Sequence, residues 1–224
     1  MALMSEGENK TDEFDPHAGR ALDRLINFSD AVVAVAITVL VLPLADIAIP
    51  QEDTSVWMVL NARLGEVITF LFTFFVVAVM WRLHNRIFNV LVAYDMPIFW
   101  LNMLWLAVIV FLPVTSSLYG VGKETGSSWS SGSLSGAGLL YWLSLAAISG
   151  LGTFMAWHVR KNPQLVDARA LTGIQTLSWH ARYRGAAYAG YFVLIGVVSL
   201  FAPEISAWMP LGLIPLGRVM RPES

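Results

Sequence analysis

Six long apolar segments separated by polar stretches limit what this 224-residue chain can fold into. A helix needs about 20 mostly apolar residues to cross the hydrocarbon core of a bilayer. The sixth segment is the shortest, and it contains Pro210 and Pro215. The six segments are 21–47, 56–81, 93–119, 139–159, 183–202 and 205–219. This pattern predicts an all-α integral membrane protein with six transmembrane helices in each subunit.

The composition excludes several other classes of protein. Charged residues make up 13% of the chain, whereas a soluble domain carries about 25%. The chain has no cysteine, which excludes disulfides and cysteine-ligated metals. Its four histidines form no His-x-x-x-His pair, and no phosphate loop, nucleophile elbow or dinucleotide fingerprint occurs. We therefore predict that the protein is not an enzyme and holds no cofactor or resident metal. The net charge of −2 does not indicate a nucleic-acid partner.

The basic residues predict the orientation of the chain in the membrane. With six spans, all Lys and Arg residues except Arg63 and Lys123 fall on one side. Basic residues accumulate on the cytoplasmic side of membrane proteins. We therefore expect cytoplasmic N and C termini in a multi-pass protein of the cell inner (plasma) membrane.

The polar stretches divide the chain into a tail and one membrane domain. Residues 1–20 are polar and lack helical periodicity, which predicts a disordered cytoplasmic tail. The transmembrane domain is expected over 21–221. Within it, the Gly/Ser-rich stretch 120–138 is typical of a flexible outer loop. The linker 162–182 has apolar residues at helical spacing, which predicts an amphipathic helix on the inner surface.

Polar residues occur unusually deep in the first apolar segment. Residues 24 to 30 read "RLINFSD", and Asp30 lies nine residues past Ala21, about 13 Å along a helix. A charged side chain at a helix centre costs about 2.5–3.5 kcal/mol and usually faces the protein interior. Arg24 is shallower, so its side chain can extend to water.

The partners of Asp30 must come from other helices. Arg24 lies about 240° around the helix from Asp30, so the two cannot pair along one face. Residues at a matching depth are Trp81 and His84 near the end of the second segment and Asn102 early in the third. The sequence predicts that these donors satisfy the carboxylate and hold the inner helix ends together.

"RLINFSD" also has the form Arg-x-x-x-Phe-Ser-Asp at the start of the first membrane helix. It resembles the signature of the transmembrane protein 175 family, cation channels best known as the lysosomal potassium channel and its shorter bacterial homologues. The similarity extends to "AVAITVLVLPL" after the motif, to "WRLHNRIF" at 81–88 and to "LNMLWLAVIVFLP" at 101–113.

The resemblance implies a homotetramer of six-span subunits in which the first helix of each lines one central pore. It further implies a helix-packing role for the signature and an apolar constriction beyond it. Transferred to this sequence, the signature residues are Arg24, Phe28, Ser29 and Asp30, and the constriction residues are Val35, Thr38 and Leu42. Position 35 is more often Ile or Leu in such channels, so the smaller Val35 leaves the location of the gate open.

The spacing of the constriction residues is compatible with that implication. With Val35 at zero, Thr38 lies at about 300° and Leu42 at about 340°, whereas Asp30 lies about 140° from this stripe. One face of the helix can therefore line a pore while another packs on neighbours. The same stripe is also compatible with ordinary helix packing, which the spacing does not exclude.

The resulting hypothesis is a passive potassium-permeable cation channel in the lipid bilayer, with potassium and other monovalent cations as its permeant partners. Pro43 lacks an N–H and frees the carbonyl of Val39, which suits a pore mouth or a simple kink. One alternative is a secondary transporter or proton pathway that uses Asp30 and His84 as a relay. Another is a non-conducting membrane assembly protein.

Overall fold

The structure is a computed structural model, and it describes residues 16–45, 55, 57–58, 61, 63–124, 135–170, 179–206 and 208–219. Within this part of the chain, five helices are long and apolar enough to cross a membrane. The helices are α1 (Pro16–Val39), α2 (Leu64–Phe88), α3 (Met96–Glu124), α4 (Ser135–Lys161) and α5 (Trp179–Phe201). The prediction of an all-helical membrane protein is confirmed. We call the end at which α1 begins and α2 ends the inner end.

Helix α1 begins earlier than expected and is interrupted near its outer end. It starts at Pro16, so residues 16–20, predicted to belong to the tail, are helical. Proline suits a helix start because its missing N–H would be unpaired there. At the outer end, Val41 N–H bonds to the carbonyl of Thr38 at 3.3 Å, a tighter turn than an α-helix makes. A separate short helix, Leu42–Ala45, follows.

The core lies around α3, which packs on α1, α2 and α4, while α5 packs mainly on α4. In the core, Trp105 of α3 and Trp142 of α4 are each 1% exposed. Helices α4 and α5 approach closely: Ser149 Oγ donates to the carbonyl of Gly185 at 3.0 Å. A Cβ at Gly185 would collide with Thr153 Oγ1. Small residues permit this close contact between the two helices. Close packing of this kind drives helix association inside a bilayer, because lipid tails are as apolar as the side chains and supply no hydrophobic driving force.

A continuous sixth span is not confirmed. Residues 203–219 form three short pieces, Pro203–Ser206, Met209–Gly212 and Leu213–Val219. The segment does return along α5: Tyr191 OH donates to the carbonyl of Met209 at 2.7 Å, and Gly217 lies against the hydroxyl of Tyr188. Prolines within the segment remove backbone donors and interrupt the helix. The cytoplasmic placement of the C terminus therefore stays a prediction.

The two predicted connections fall partly outside the described residues. Of the outer loop 120–138, residues 125–134 are not described, and the residues on both sides of this gap are helical. Of the inner linker 162–182, residues 171–178 are not described. The linker begins with a 3₁₀ turn, Pro163–Leu165, rather than with a long helix.

Candidate functional site

A buried hydrogen-bond chain links three helices at the inner end of α1. Ser29 is 1% exposed, and its Oγ donates to the carbonyl of Leu25 at 2.8 Å. The same oxygen accepts a hydrogen bond from Asn102 Nδ2 at 2.9 Å. Asn102 Oδ1 lies 2.7 Å from His84 Nε2. Helices α1, α3 and α2 are thereby joined in that order through Ser29, Asn102 and His84.

The imidazole of His84 is fixed by stacking as well as by hydrogen bonding. Its ring lies between Phe88 and Trp105, with centroid distances of 4.4 and 4.3 Å and interplanar angles of 21° and 22°. Because Asn102 Oδ1 only accepts, His84 Nε2 carries the hydrogen in this bond. Among the described residues, His84 Nδ1 has no hydrogen-bond partner. The ring is thus a rigid donor to Asn102.

Asp30 has a different partner from Ser29. Trp81 Nε1 donates to Asp30 Oδ1 at 2.7 Å, which attaches the carboxylate to α2. The sequence predicted Trp81, His84 and Asn102 as donors to Asp30, but the structure divides them: Trp81 bonds Asp30, while Asn102 bonds Ser29 and His84 bonds Asn102.

The other two signature residues lie outside this network. Arg24 is exposed, and Phe28 is 53% exposed. The network therefore uses only part of the Arg-x-x-x-Phe-Ser-Asp pattern, while Arg24 and Phe28 lie on the surface of the single chain.

The proposed constriction residues are all exposed, Val35 and Thr38 on α1 and Leu42 at the start of the short helix that follows it. Val35 is 62% exposed and Leu42 is 55% exposed. The exposed Thr38 donates its hydroxyl hydrogen to the carbonyl of Val35 at 2.7 Å. The hydroxyl oxygen therefore keeps lone pairs that can accept from water or contact a cation. Of these three exposed side chains, Val35 and Leu42 are apolar, and Thr38 supplies one hydroxyl oxygen per chain.

A small recess lies behind the interruption of α1 and was not predicted from the sequence. Leu40, Pro43 and Leu44 line one side of it, and Glu66 contributes a carboxylate that is 8% exposed. The other lining residues are Thr69, Phe70, Ser116 and Ser117. Arg63 Nη1 pairs with Glu66 Oε2 at 3.1 Å. The sequence feature that could have indicated this ion pair is the three-residue spacing of Arg63 and Glu66, which places them on one side of a helix.

Within the described ranges, no group of His, Asp or Glu side chains has the arrangement needed to hold a metal ion.

Comparison with known proteins identifies relatives of this chain. A sequence model of the family described as "Endosomal/lysosomal potassium channel TMEM175" matches residues 24–113. A protein of Streptomyces collinus named as a potassium channel is 30% identical over 149 residues, covering 65% of this chain and 68% of that protein. The human endosomal/lysosomal proton channel TMEM175 is 34% identical over 124 residues, covering 53% of this chain.

The chain spans 24% of the length of that human protein, and the same share of its rat and mouse counterparts. Its fold is similar to the crystal structure of a lysosomal potassium-selective channel TMEM175 homolog from Chamaesiphon minutus. The TM-score is 0.68 at 22% identity, over 91% of this chain and 100% of that one.

Proposed function

The chain belongs to the TMEM175 family of ion channels, and on that premise we propose that it forms a passive pathway for monovalent cations, chiefly potassium. The observation that carries the proposal is the contrast between two faces of α1. Ser29 and Asp30 bond to neighbouring helices, whereas Val35 and Leu42 leave more than half of their surface uncovered in the single chain. A helix anchored on one side and free on the other suits a pore wall.

In the proposed assembly, four copies surround a central axis with Val35, Thr38 and Leu42 facing it. Rings of Val35 and Leu42 form a narrow apolar layer that cannot replace the water around an ion, so the barrier to permeation is a dewetted layer. Thr38 hydroxyls supply the nearby oxygen atoms. The stripe carries no carboxylate, because Asp30 is turned toward Trp81. We therefore expect little affinity for divalent cations and modest selectivity among monovalent ones.

The proposal includes a membrane location and an orientation for the assembly. We place the assembly in the cell inner membrane, with the inner end of α1 toward the cytoplasm, as the distribution of basic residues predicts.

A transporter or proton relay through Asp30 and His84 has less support. In the described part of the chain, no hydrogen bond joins Asp30 to His84; they bond Trp81 and Asn102 instead. An indole N–H only donates, so Trp81 cannot accept a proton from one neighbour and pass it to the next. A relay through these groups would require both side chains to leave the positions they occupy.

Flux measured in liposomes tests the proposal. Purified protein should move potassium down an imposed gradient, without saturation at millimolar concentrations and without stoichiometric proton movement. Leu42→Trp should block this flux, whereas Leu104→Trp, at a similarly exposed position on α3 (54%), should not. Saturable potassium movement driven by a pH gradient would indicate a transporter, and proton flux alone a proton pathway. No flux from a well-assembled protein would contradict any conducting role.

A further inference from the structure

The inner end of the molecule contains a second set of contacts that the proposed pore does not use. The segment that follows α2 pairs with the segment that follows α4. Val92 N–H donates to the carbonyl of Leu165 at 2.9 Å, and Asp167 N–H donates to that of Val90 at 2.9 Å. Leu91 and Val166 form the antiparallel bridge between them, and their side chains are 7% and 6% exposed. The two connections are therefore one packed unit.

Asp95 attaches this unit to the start of α3. It immediately precedes Met96, the first residue of the helix, and its Oδ1 accepts the backbone N–H of Ile98 at 3.0 Å. This is the bond of an N-cap residue, which satisfies an otherwise unpaired donor. Its other oxygen, Oδ2, lies 2.7 Å from His158 Nε2 near the end of α4. One carboxylate thus joins the beginning of α3 to the end of α4.

The charge state of Asp95 is consistent with this double role. Partial burial raises the pKa of its carboxyl group, but the hydrogen bonds from His158 and from the Ile98 amide lower it, and the net pKa is below the ordinary value. The carboxylate is therefore ionised at neutral pH. Hydrogen bonds that involve an ionised group are shorter and stronger than neutral ones.

The start of α3 controls where Asn102 lies. Asn102 is seven residues past Asp95, which is two helical turns, about 10 Å along the axis and nearly the same azimuth. Asn102 is fully buried and bonds Ser29 of α1. Because a hydrogen bond weakens within a few tenths of an ångström of stretching, a small shift of the α3 start would weaken the bond to Ser29.

We infer that Asp95 and His158 are positioning residues for the pore-lining helix: their hydrogen bond fixes the start of α3, and α3 holds α1 through Asn102 and Ser29. The effect on conduction rests on the proposed channel function, but the mechanical link between the helices does not. The link predicts that loss of the Asp95–His158 bond loosens α1, although neither residue belongs to α1.

Three variants distinguish the hydrogen bond between Asp95 and His158 from the N-cap role of Asp95 at the start of α3. His158→Leu removes the donor. Asp95→Ser keeps an N-cap oxygen for the amide of Ile98, but its shorter side chain cannot reach His158. If His158→Leu does not assemble, Asp95→Ser tests the loss of the hydrogen bond instead. His158→Gln is the conservative variant, because its amide nitrogen can occupy the position of Nε2. Gln164→Ala is the control, since Gln164 is an exposed residue of the same connection.

Amide hydrogen exchange of the purified, detergent-solubilised full chain is the primary measurement. His158→Leu and Asp95→Ser should speed exchange across residues 25–33 of α1 by about tenfold, the factor expected from loss of one charge-assisted hydrogen bond. His158→Gln and Gln164→Ala should stay near wild type, as should residues 190–200 of α5. Unchanged exchange in α1 would overturn the inference. So would a uniform increase that includes α5, or failure of His158→Gln to restore protection.

Potassium current per assembled protein is the second measurement. It should change at least about threefold in His158→Leu and return toward wild type in His158→Gln, since an energetic link of this kind is typically worth a factor of a few or more. If exchange changes as expected but the wild type passes no potassium, the positioning role stands and the channel proposal fails. If the wild type conducts and the variants conduct equally well, the inferred effect on the pore is wrong.

Discussion

The inner and outer parts of α1 differ in what holds them. At the inner part, Ser29 bonds Asn102 and Asp30 bonds Trp81, so two adjacent residues attach the helix to two different neighbours. At the outer part, the helix is interrupted, and the short segment Leu42–Ala45 has no buried residue. Among the described residues of this outer part, the side-chain hydrogen bond that does form, from Thr38, goes to the backbone of the same helix. Hydrogen bonds to other helices thus anchor the inner part, whereas apolar packing of its buried face holds the outer part.

This difference has a physical origin in the kinds of residues involved. A buried polar group without a partner costs several kcal/mol in hydrocarbon, so the buried Ser29 restricts the inner part to one arrangement. The half-buried Asp30 adds a second attachment through Trp81. Val35 and Leu42 lose little when they exchange a lipid contact for a contact with another apolar side chain. In the proposed assembly, the outer part can therefore adapt to neighbouring subunits, whereas the inner part cannot.

The largest effect is expected from disrupting the inner anchor at Asn102. Asn102→Leu keeps the four-atom branched shape of the side chain but removes both hydrogen bonds, leaving His84 Nε2 without its acceptor. Loss of two bonds with a buried donor left unpaired should cost about 3 kcal/mol. The melting temperature in detergent and the yield of assembled protein on size-exclusion chromatography should both fall. Asn89→Leu, at an exposed position after α2, should leave them near wild type; equal losses in the two variants would refute the anchor.

A smaller effect is expected at Asp30. Asp30→Asn keeps an oxygen that can accept from Trp81 but removes the charge, so the stability loss should be about 1 kcal/mol. Assembly should suffer more than ion preference, because the carboxylate faces α2 and not the stripe. The tests are size-exclusion chromatography and reversal potentials. Normal assembly with altered selectivity would instead place this carboxylate in the pore.

The depth of residues along the helices could be predicted from the sequence, but the rotation of each helix about its axis relative to its neighbours could not. Apolar length located five spans, and depth alone selected Trp81, His84 and Asn102 as residues level with Asp30. Which of them bonds Asp30 and which bonds Ser29 depends on how the helices are rotated about their axes. The spacing of residues along the sequence does not determine that rotation. The split of donors between Asp30 and Ser29 was therefore missed.

Contacts between distant connections were also missed. Asp95 and His158 are 63 residues apart, and neither belongs to a recognisable motif, so only the fold brings them together. The sixth segment illustrates a third limit: its hydropathy was sufficient to suggest a span, but its prolines divided the helix into pieces.

The smallest change in stability is expected at Thr38. Thr38→Ala removes an exposed hydroxyl that hydrogen-bonds to its own helix, so the stability should change by less than about 0.5 kcal/mol. Discrimination between potassium and sodium should weaken because one ring of oxygens is lost, while conduction persists. Reversal potentials under bi-ionic conditions measure this. Unchanged selectivity would show that the Thr38 hydroxyl does not contact the permeant ion.

The most direct test of the central claim, that the free face of α1 lines a pore, is the current per assembled protein in Leu42→Asn and Val35→Ser. Polar side chains at a dewetted constriction should wet it and raise the current. The matched controls are Leu104→Asn and Val110→Ser on α3, at positions 54% and 55% exposed in the single chain; they should leave the current unchanged. We expect higher cation current in both α1 variants, with normal size-exclusion profiles. Well-assembled Leu42→Asn and Val35→Ser proteins that conduct no more than wild type would contradict the account.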